Sequence, residues 1–164
     1  MVDFTKPHKP PRLPNYDYTA PGYYFVTFNA KQRGQNVFSK IDAVGTAPLG
    51  GPSLVLTQAG KIVDELIKNV DRVYPNTHVD TYVIMPDHVH MILVLGCVEQ
   101  GGPPRGAAPT VPVGQIVNAI KALATKRIGC PLWQDEYYDH VLRNDADLRE
   151  TRQYIGQNPL KARL

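Results

Sequence analysis

Two adjacent strand-like runs constrain the fold of this chain more than any other feature. Residues 78–84 and 88–95 are rich in β-branched and other apolar residues, and Met85-Pro86-Asp87 joins them. Because proline and aspartate favour turns, the stretch predicts a β-hairpin. The chain is therefore expected to contain an antiparallel sheet.

Strand and helix patterns alternate along the rest of the chain. Aromatic and β-branched residues indicate strands, and apolar residues spaced three or four apart indicate helices. In chain order, the expected elements are a strand at 23–29, a loop or weak hairpin at 43–56, a helix from the N-cap Thr57 to Tyr74-Pro75-Asn76, the hairpin 78–95, a loop at 96–113, a helix at 113–128, a strand at 138–142, and a helix that Asn144 caps and Pro159 ends.

The order of these elements predicts the fold class. Strand, helix, strand, strand, helix, strand matches an α+β, ferredoxin-like split βαβ core, in which helices cover one face of an antiparallel sheet. An additional C-terminal helix follows. With 164 residues and 43% hydrophobic content, residues 1–164 are expected to form a single domain. Within it, 1–16 is predicted to be an extended basic arm and 96–113 a mobile loop.

Composition restricts the function classes only broadly. The formal charge of +3 and the pI near 8.8 are compatible with a polyanionic partner without requiring one. No apolar run approaches the roughly 18 to 20 residues that a membrane span needs, so we expect a cytoplasmic protein without membrane contact. Two cysteines, Cys97 and Cys130, are too few for a disulfide framework and are expected to be reduced.

The second strand of the hairpin carries the triplet His88-Val89-His90. Side chains alternate along a strand, so both imidazoles are predicted to lie on one face and Val89, Met91 and Leu93 on the other. Two imidazoles so placed can share one divalent ion. Ordinary, partly exposed histidines remain the alternative for this pair alone.

The predicted C-terminal helix carries a tyrosine away from its apolar stripe. Leu148 and Ile155 define the stripe, and Tyr154 lies roughly 120° from Leu148 around the helix. Asn158 comes one turn after Tyr154, where its amide oxygen can reach the same ion as the histidines. Because Asn158 precedes a proline, Gln157 is an alternative third ligand.

Four stretches of the sequence together resemble the REP-associated tyrosine transposases, members of the single-tyrosine HUH superfamily. The resemblance extends from about Arg12 to Leu160, and several motifs in the same order are more specific than any one of them. The stretches are Tyr18–Thr27, Tyr82–Leu93, Leu132–Asn144 and Tyr154–Pro159.

The resemblance implies a metal-dependent DNA transesterase. His88 and His90 match the metal-binding pair, Tyr154 the nucleophile and Asn158 the polar metal ligand. The implied reaction is cleavage and rejoining of single-stranded DNA at hairpin or REP-like sequences, through a 5′-phosphotyrosine, with Mg²⁺ or Mn²⁺ as cofactor. Asp87 stands where the family more often has asparagine.

Single-stranded or hairpin DNA is accordingly the expected partner, bound by a monomer rather than a homodimer. The candidate phosphate contacts are Lys6, Lys9 and Arg12 on the arm, and Lys121, Lys126 and Arg127 on the second helix. Each of them can equally be a solvated surface charge. Three aromatic residues, Trp133, Tyr137 and Tyr138, can stack on bases, although core packing is favoured for at least two of them.

Three other functions are considered. A zinc-stabilised binding module would use His88, His90, Cys97 and Cys130, a spacing that fits no familiar finger. A replication initiator or relaxase would use the same chemistry, and a related protein could bind hairpins without transposing. A further pair, Asp139 and His140, is interpreted as structural strand residues.

Overall fold

The computed structural model describes residues 15–42, 53–96 and 111–161, apart from the side chains of 160 and 161. Most of the predicted 1–16 arm and most of the predicted 96–113 loop lie outside these residues. The elements in chain order are β1 (Gly22–Ala30), β2 (Ser39–Asp42), β3 (Ser53–Leu56), α1 (Gln58–Lys68), α2 (Val70–Val73), β4 (Thr77–Ile84), β5 (His88–Leu95), α3 (Val113–Ile128), β6 (Trp133–Leu142) and α4 (Asp145–Lys161).

Four strands form one antiparallel sheet in the order β4-β5-β1-β6. The strand β5 lies between β1 and β4, and β1 lies between β5 and β6. Each of the two crossovers therefore joins parallel strands that have a third strand between them. This is the split βαβ arrangement, so the predicted ferredoxin-like α+β core is confirmed.

The sheet has helices on both faces. The helices α1 and α3 pack on one face over a large apolar cluster, which we call the first core. The helix α4 packs on the opposite face over a smaller one, the second core. The prediction of helices on one face holds for α1 and α3. The sequence pattern did not specify which face the additional helix α4 would cover.

The start of α1 is fixed by both a side-chain cap and close packing. Thr57 is the N-cap, as predicted, and its Oγ1 accepts a hydrogen bond from Gly60 N at 3.1 Å. A Cβ atom at Gly60 would lie 1.9 Å from the carbonyl oxygen of Phe38. Only glycine lets the first turn of the helix approach β2 this closely.

Several predicted boundaries were wrong. The first long helix stops at Lys68, and Asn69 separates it from the short α2. The predicted weak hairpin pairs β3 with β2, a strand that sequence reasoning did not find.

The last strand begins at Trp133 rather than 138, because it continues past a bulge within β6 itself to pair with Ala30 of β1. The helix α4 continues through Pro159 to Lys161. So close to the helix end, proline costs one hydrogen bond without stopping the last turn. Within the described residues, no helix is long and apolar enough to cross a membrane.

Candidate active site

The two histidines of β5 lie side by side on the α4 face of the sheet. In the register with β1, His90 is opposite Thr27 and His88 is opposite Asn29. The ring centroids of His88 and His90 are 4.6 Å apart. Val89, Met91 and Leu93 belong to the first core on the other face. The alternation predicted from the sequence is therefore confirmed.

Each imidazole has one ring nitrogen engaged by a neighbouring side chain. His88 Nδ1 is 2.6 Å from Asp87 Oδ1, and His90 Nδ1 is 2.7 Å from Thr27 Oγ1. When Nδ1 carries the proton and donates it to these oxygens, Nε2 of each ring has a free lone pair. Metal-binding histidines are commonly oriented in this way.

Burial favours the neutral form of both rings. It lowers the pKa of His88 below the ordinary 6.5, although the Asp87 carboxylate opposes that shift. It also lowers the pKa of His90 well below the same value, and His88 and Arg33 nearby act in the same direction. Neutral imidazole is the form that coordinates a cation, so burial favours the form that binds.

Tyr154 on α4 lies beside His90. Their ring centroids are 5.3 Å apart, and the tyrosine also meets Phe25 edge-to-face at 6.2 Å. Tyr154 is partly buried at the margin of the second core, and is not turned fully away from the apolar stripe of its helix. The phenol and the two imidazoles therefore meet on one face of one protomer.

Asn158 lies one helical turn beyond Tyr154 and is only 8% exposed. Burial raises the pKa of the Tyr154 hydroxyl, and the polar interaction with the Asn158 side chain opposes that rise. The Asn158 Nδ2 atom is buried and has no hydrogen-bond partner within the described residues. By contrast, Gln157 is partly exposed.

The chemistry of these groups is compatible with a divalent cation. The donors would be Nε2 of His88, Nε2 of His90 and the amide oxygen of Asn158, an uncharged set that leaves the charge of the ion to attract a phosphate. Within the described ranges, no group of three or more His, Cys, Asp or Glu side chains is placed to hold a metal ion. Asn158 interacts with Tyr154, whose ring lies 5.3 Å from that of His90, so the three candidate ligands belong to one site.

A second layer of residues, centred on Asp87, contacts the His88 ring and its surroundings. Besides contacting His88, the Asp87 carboxylate accepts a hydrogen bond from Gly34 N at 2.7 Å and lies 3.4 Å from Arg33 Nε. Burial raises the pKa of Asp87, but these three partners together hold it below its ordinary value. The Arg33 side chain in turn donates from Nη1 to Asn29 Oδ1 at 2.5 Å.

Sequence reasoning missed most of this second layer. It noted Asp87 only as a departure from a family pattern, and gave Thr27 and Arg33 no role. The position of Asp87 next to His88 was the one available signal. The contact of Thr27 with His90 depends on the strand register, which residue spacing alone does not give.

An ion pair attaches α4 to its own sheet. Arg152 Nε donates to Asp80 Oδ2 at 2.8 Å, and Arg152 Nη2 contacts the other carboxylate oxygen. Asp80 sits at a bulge in β4, where the register shifts between Val79 and Thr81. The ion pair holds the helix that carries Tyr154 against the sheet that carries the histidines.

The predicted DNA contacts on α3 lie across the sheet from this site, because α3 packs on the first core. Lys121 is 8% exposed and donates to the carbonyl oxygens of Gln134 and Asp135 at 2.8 and 2.9 Å. We therefore correct the expectation for Lys121, whose ammonium is occupied by structural bonds. Arg127 pairs with Glu65 at 2.8 Å, and Lys126 is exposed. The candidates Lys6, Lys9 and Arg12 lie outside the described residues.

The aromatic residues of β6 are used in packing. Trp133 stacks on Phe38 with a centroid separation of 4.4 Å and donates to the Lys121 carbonyl. Tyr137 packs against the first core and Tyr138 against the second. Packing was favoured for at least two of these three, and the structure shows it for all of them.

The remaining candidates lie farther from the histidines. His140 is opposite Phe25 in β1, so β1 separates it from β5, and burial lowers its pKa. Cys130 is exposed just after α3, on the face opposite His88 and His90. Cys97 lies outside the described residues. Cys130 therefore does not join the two histidines, as the zinc-module hypothesis required.

Comparisons with known proteins bear on the fold. No family model matches this chain. It is 26% identical over 166 residues to an uncharacterized protein of Haemophilus influenzae, a match that covers 91% of this chain and 86% of that protein. A solved structure of a REP-associated tyrosine transposase bound to a REP hairpin matches with a TM-score of 0.64 at 23% identity, covering 90% of this chain and 72% of the other. The chain has the fold of that transposase.

Proposed function

We propose that this chain is a single-tyrosine transposase of the HUH type, which cleaves and rejoins single-stranded DNA at hairpin or REP-like sequences with Mg²⁺ or Mn²⁺. The observation that carries the proposal is the position of Tyr154, whose ring lies 5.3 Å from that of His90. The matched fold of a transposase bound to a REP hairpin supports hairpin DNA as the substrate.

The donors His88, His90 and Asn158 would hold the metal ion. When bound, the ion would neutralise charge on a non-bridging phosphate oxygen and orient the scissile phosphate. Thr27 and Asp87, 2.7 and 2.6 Å from the Nδ1 atoms, would accept a proton from each ring and so leave both Nε2 lone pairs free for the ion.

Tyr154 would act as the nucleophile. Its hydroxyl oxygen attacks phosphorus and loses its proton to solvent, while the bond from phosphorus to the 3′ oxygen breaks and that oxygen takes up a proton from solvent. The products are a 5′-phosphotyrosine and a free 3′-hydroxyl, so one phosphodiester is exchanged for another without ATP. A second 3′-hydroxyl reverses the step and releases Tyr154.

The surroundings of Tyr154 suit this role in two respects. Its partial burial beside Phe25 excludes water from one side of the phenol, which limits hydrolysis. The Asn158 side chain favours the ionised form, which burial alone would oppose. Because the phenol meets the histidines of its own chain, a monomer contains the complete set of groups.

The test uses a labelled DNA hairpin with single-stranded flanks, incubated with the full chain and Mn²⁺. We expect an adduct that survives SDS in the parent and disappears with Tyr154→Phe or with excess EDTA. Tyr138→Phe is the matched control, because Tyr138 lies on the same face of the sheet but on β6, with β1 between it and His90. It should leave the adduct intact.

Two results would contradict the proposal. If the adduct persists in Tyr154→Phe, the nucleophile lies elsewhere. If the parent forms none with Mn²⁺ or Mg²⁺ on any hairpin bearing unpaired flanks, the chain does not perform this chemistry. Metal analysis after dialysis separates the zinc-module alternative, because a structural site retains zinc.

A further inference from the structure

An arginine that the mechanism above does not use lies at the edge of the site. Arg33 follows β1, and its side chain is 52% exposed. Its Nη1 donates to Asn29 Oδ1, and its Nε lies 3.4 Å from Asp87 Oδ2. Asn29 is opposite His88 in the register of β1 with β5, and Asp87 contacts His88 Nδ1 at 2.6 Å. The guanidinium is therefore one residue removed from the candidate metal ligand His88.

Support of Asp87 does not by itself explain Arg33. The Asp87 carboxylate already contacts His88 at 2.6 Å and Gly34 N at 2.7 Å, both shorter than its separation from Arg33. A half-exposed ion pair at 3.4 Å contributes little to stability. The carboxylate would stay in place without the arginine.

The guanidinium also has unused donor capacity. Arginine has five N–H groups, and within the described residues the hydrogen bonds and ion pairs of Arg33 involve only Nε and Nη1. Asn29 and Asp87 fix the orientation of the plane, while Nη2 remains available on an exposed side chain. An oriented, half-exposed guanidinium is a good binding group for phosphate.

The geometry of the site favours the same ligand. Asp87 pairs with Arg33 at 3.4 Å and also contacts His88 Nδ1 and Gly34 N. A DNA strand that reaches this site brings one negative charge per nucleotide, and Arg33 lies where a backbone phosphate can pair with it.

We propose that Arg33 binds a backbone phosphate of the single-stranded DNA that enters the site between the histidines and Tyr154. This inference rests on the proposed function for its ligand. It adds a substrate-binding residue outside the metal-binding set. It also places the path of the DNA over the C-terminal end of β1, which Arg33 follows.

The experiment measures binding rather than cleavage. Affinity for the fluorescent hairpin with single-stranded flanks is titrated in EDTA, at several salt concentrations, for the parent, Arg33→Gln, Arg33→Lys and Arg72→Gln. Arg72 is the matched control, because it is an exposed arginine in α2. The helix α2 leads into Thr77 of β4, which is opposite Leu95, at the other end of β5 from His88 and His90. Both Gln variants remove one positive charge.

We expect Arg33→Gln to weaken binding roughly tenfold and to reduce the slope of log affinity against log salt by about 0.7, the value for one lost phosphate contact on single strands. Arg33→Lys should keep most of the slope but recover only part of the affinity, since an ammonium lacks the fork. Arg72→Gln should leave both close to the parent values.

Asp87→Ala separates phosphate binding from structural support. If Arg33 serves only to hold Asp87, then Arg33→Gln and Asp87→Ala will weaken Mn²⁺ binding alike, and the salt slope of Arg33→Gln will match that of Arg72→Gln. That result overturns the inference. If Arg33→Gln lowers the slope and leaves Mn²⁺ affinity unchanged, the inference stands.

The two proposals fail in distinguishable ways. If the salt slope of Arg33→Gln equals that of the parent but the parent forms a Tyr154-dependent adduct, Arg33 does not bind phosphate and the proposed transesterase stands. If Arg33→Gln reduces the slope but the parent forms no adduct, Arg33 contacts nucleic acid and the proposed transesterase activity is wrong.

Discussion

The two faces of the sheet differ in what their side chains are used for. Among the described residues, the first core, under α1 and α3, contains 21 buried residues, whereas the second core, under α4, contains six. Most hydrophobic stabilisation therefore comes from the first face. The second face is free to hold two histidines, a tyrosine and an asparagine, although burying polar groups costs stability.

Two adjacent residues of β5 show this difference. Met91 is fully buried in the first core, and His90, its neighbour, is buried against α4 and Tyr154. Their side chains leave the same strand in opposite directions. Stability and activity should therefore be separable by substitutions at adjacent positions.

The largest effects are expected from that pair. Met91→Ala should lower the free energy of unfolding by about 2–5 kcal/mol, because it opens a cavity in the first core. His90→Gln should reduce adduct formation roughly a hundredfold or more through loss of a metal ligand, with a smaller change in stability. Denaturant unfolding and the adduct assay measure the two quantities.

The comparison between faces fails if the two variants behave alike. A His90→Gln protein that unfolds as easily as Met91→Ala would make His90 a structural residue. Specific activity must be corrected for the folded fraction, so that Met91→Ala is compared with the parent at equal amounts of folded protein.

An intermediate effect is expected at Asp87. Asp87→Ala removes the carboxylate that contacts His88 Nδ1 at 2.6 Å and leaves no acceptor in its place. We expect Mn²⁺ affinity to fall about 10- to 100-fold, as for other partners of metal-binding histidines. Calorimetric titration of Mn²⁺ into the chain with hairpin DNA present measures this. An unchanged affinity would mean that His88 needs no carboxylate to orient it.

The smallest effect is expected at the ion pair between α4 and β4. Arg152 is 44% exposed and Asp80 16%, so Arg152→Gln should cost no more than about 1 kcal/mol of global stability. It should still increase hydrogen exchange in α4 relative to α3, because α4 rests on the smaller core. The double exchange Asp80→Arg with Arg152→Asp should restore protection. Equal exchange in α4 of the parent and Arg152→Gln would show that apolar packing alone holds the helix.

Part of the site could be predicted from the sequence because the relevant spacing is local. Strand alternation places His88 and His90 together whatever the rest of the chain does. Helical periodicity places Asn158 one turn beyond Tyr154. Asn144 and Thr57 were likewise identifiable as caps from their residue type and position.

The residues that were misjudged depend on distant contacts. Lys121 has the composition of a surface lysine, but the start of β6 returns over α3 and provides two carbonyl oxygens for its ammonium. Arg33 was passed over because nothing near it in the sequence shows that it lies beside residues more than 50 positions later. Spacing within one segment carries no information about either arrangement.

The sequence by itself determined the order of the four strands of the main sheet and of the long helices, the ferredoxin-like core, and the shared face of His88 and His90. Only the tertiary structure decided that α4 covers that face, that Tyr154 comes to rest against His90, and that Thr27, Asp87 and Arg33 surround the imidazoles. The physical reason is that periodicity is a property of neighbouring residues. Register and helix docking, by contrast, are selected by packing between segments that are far apart in the chain.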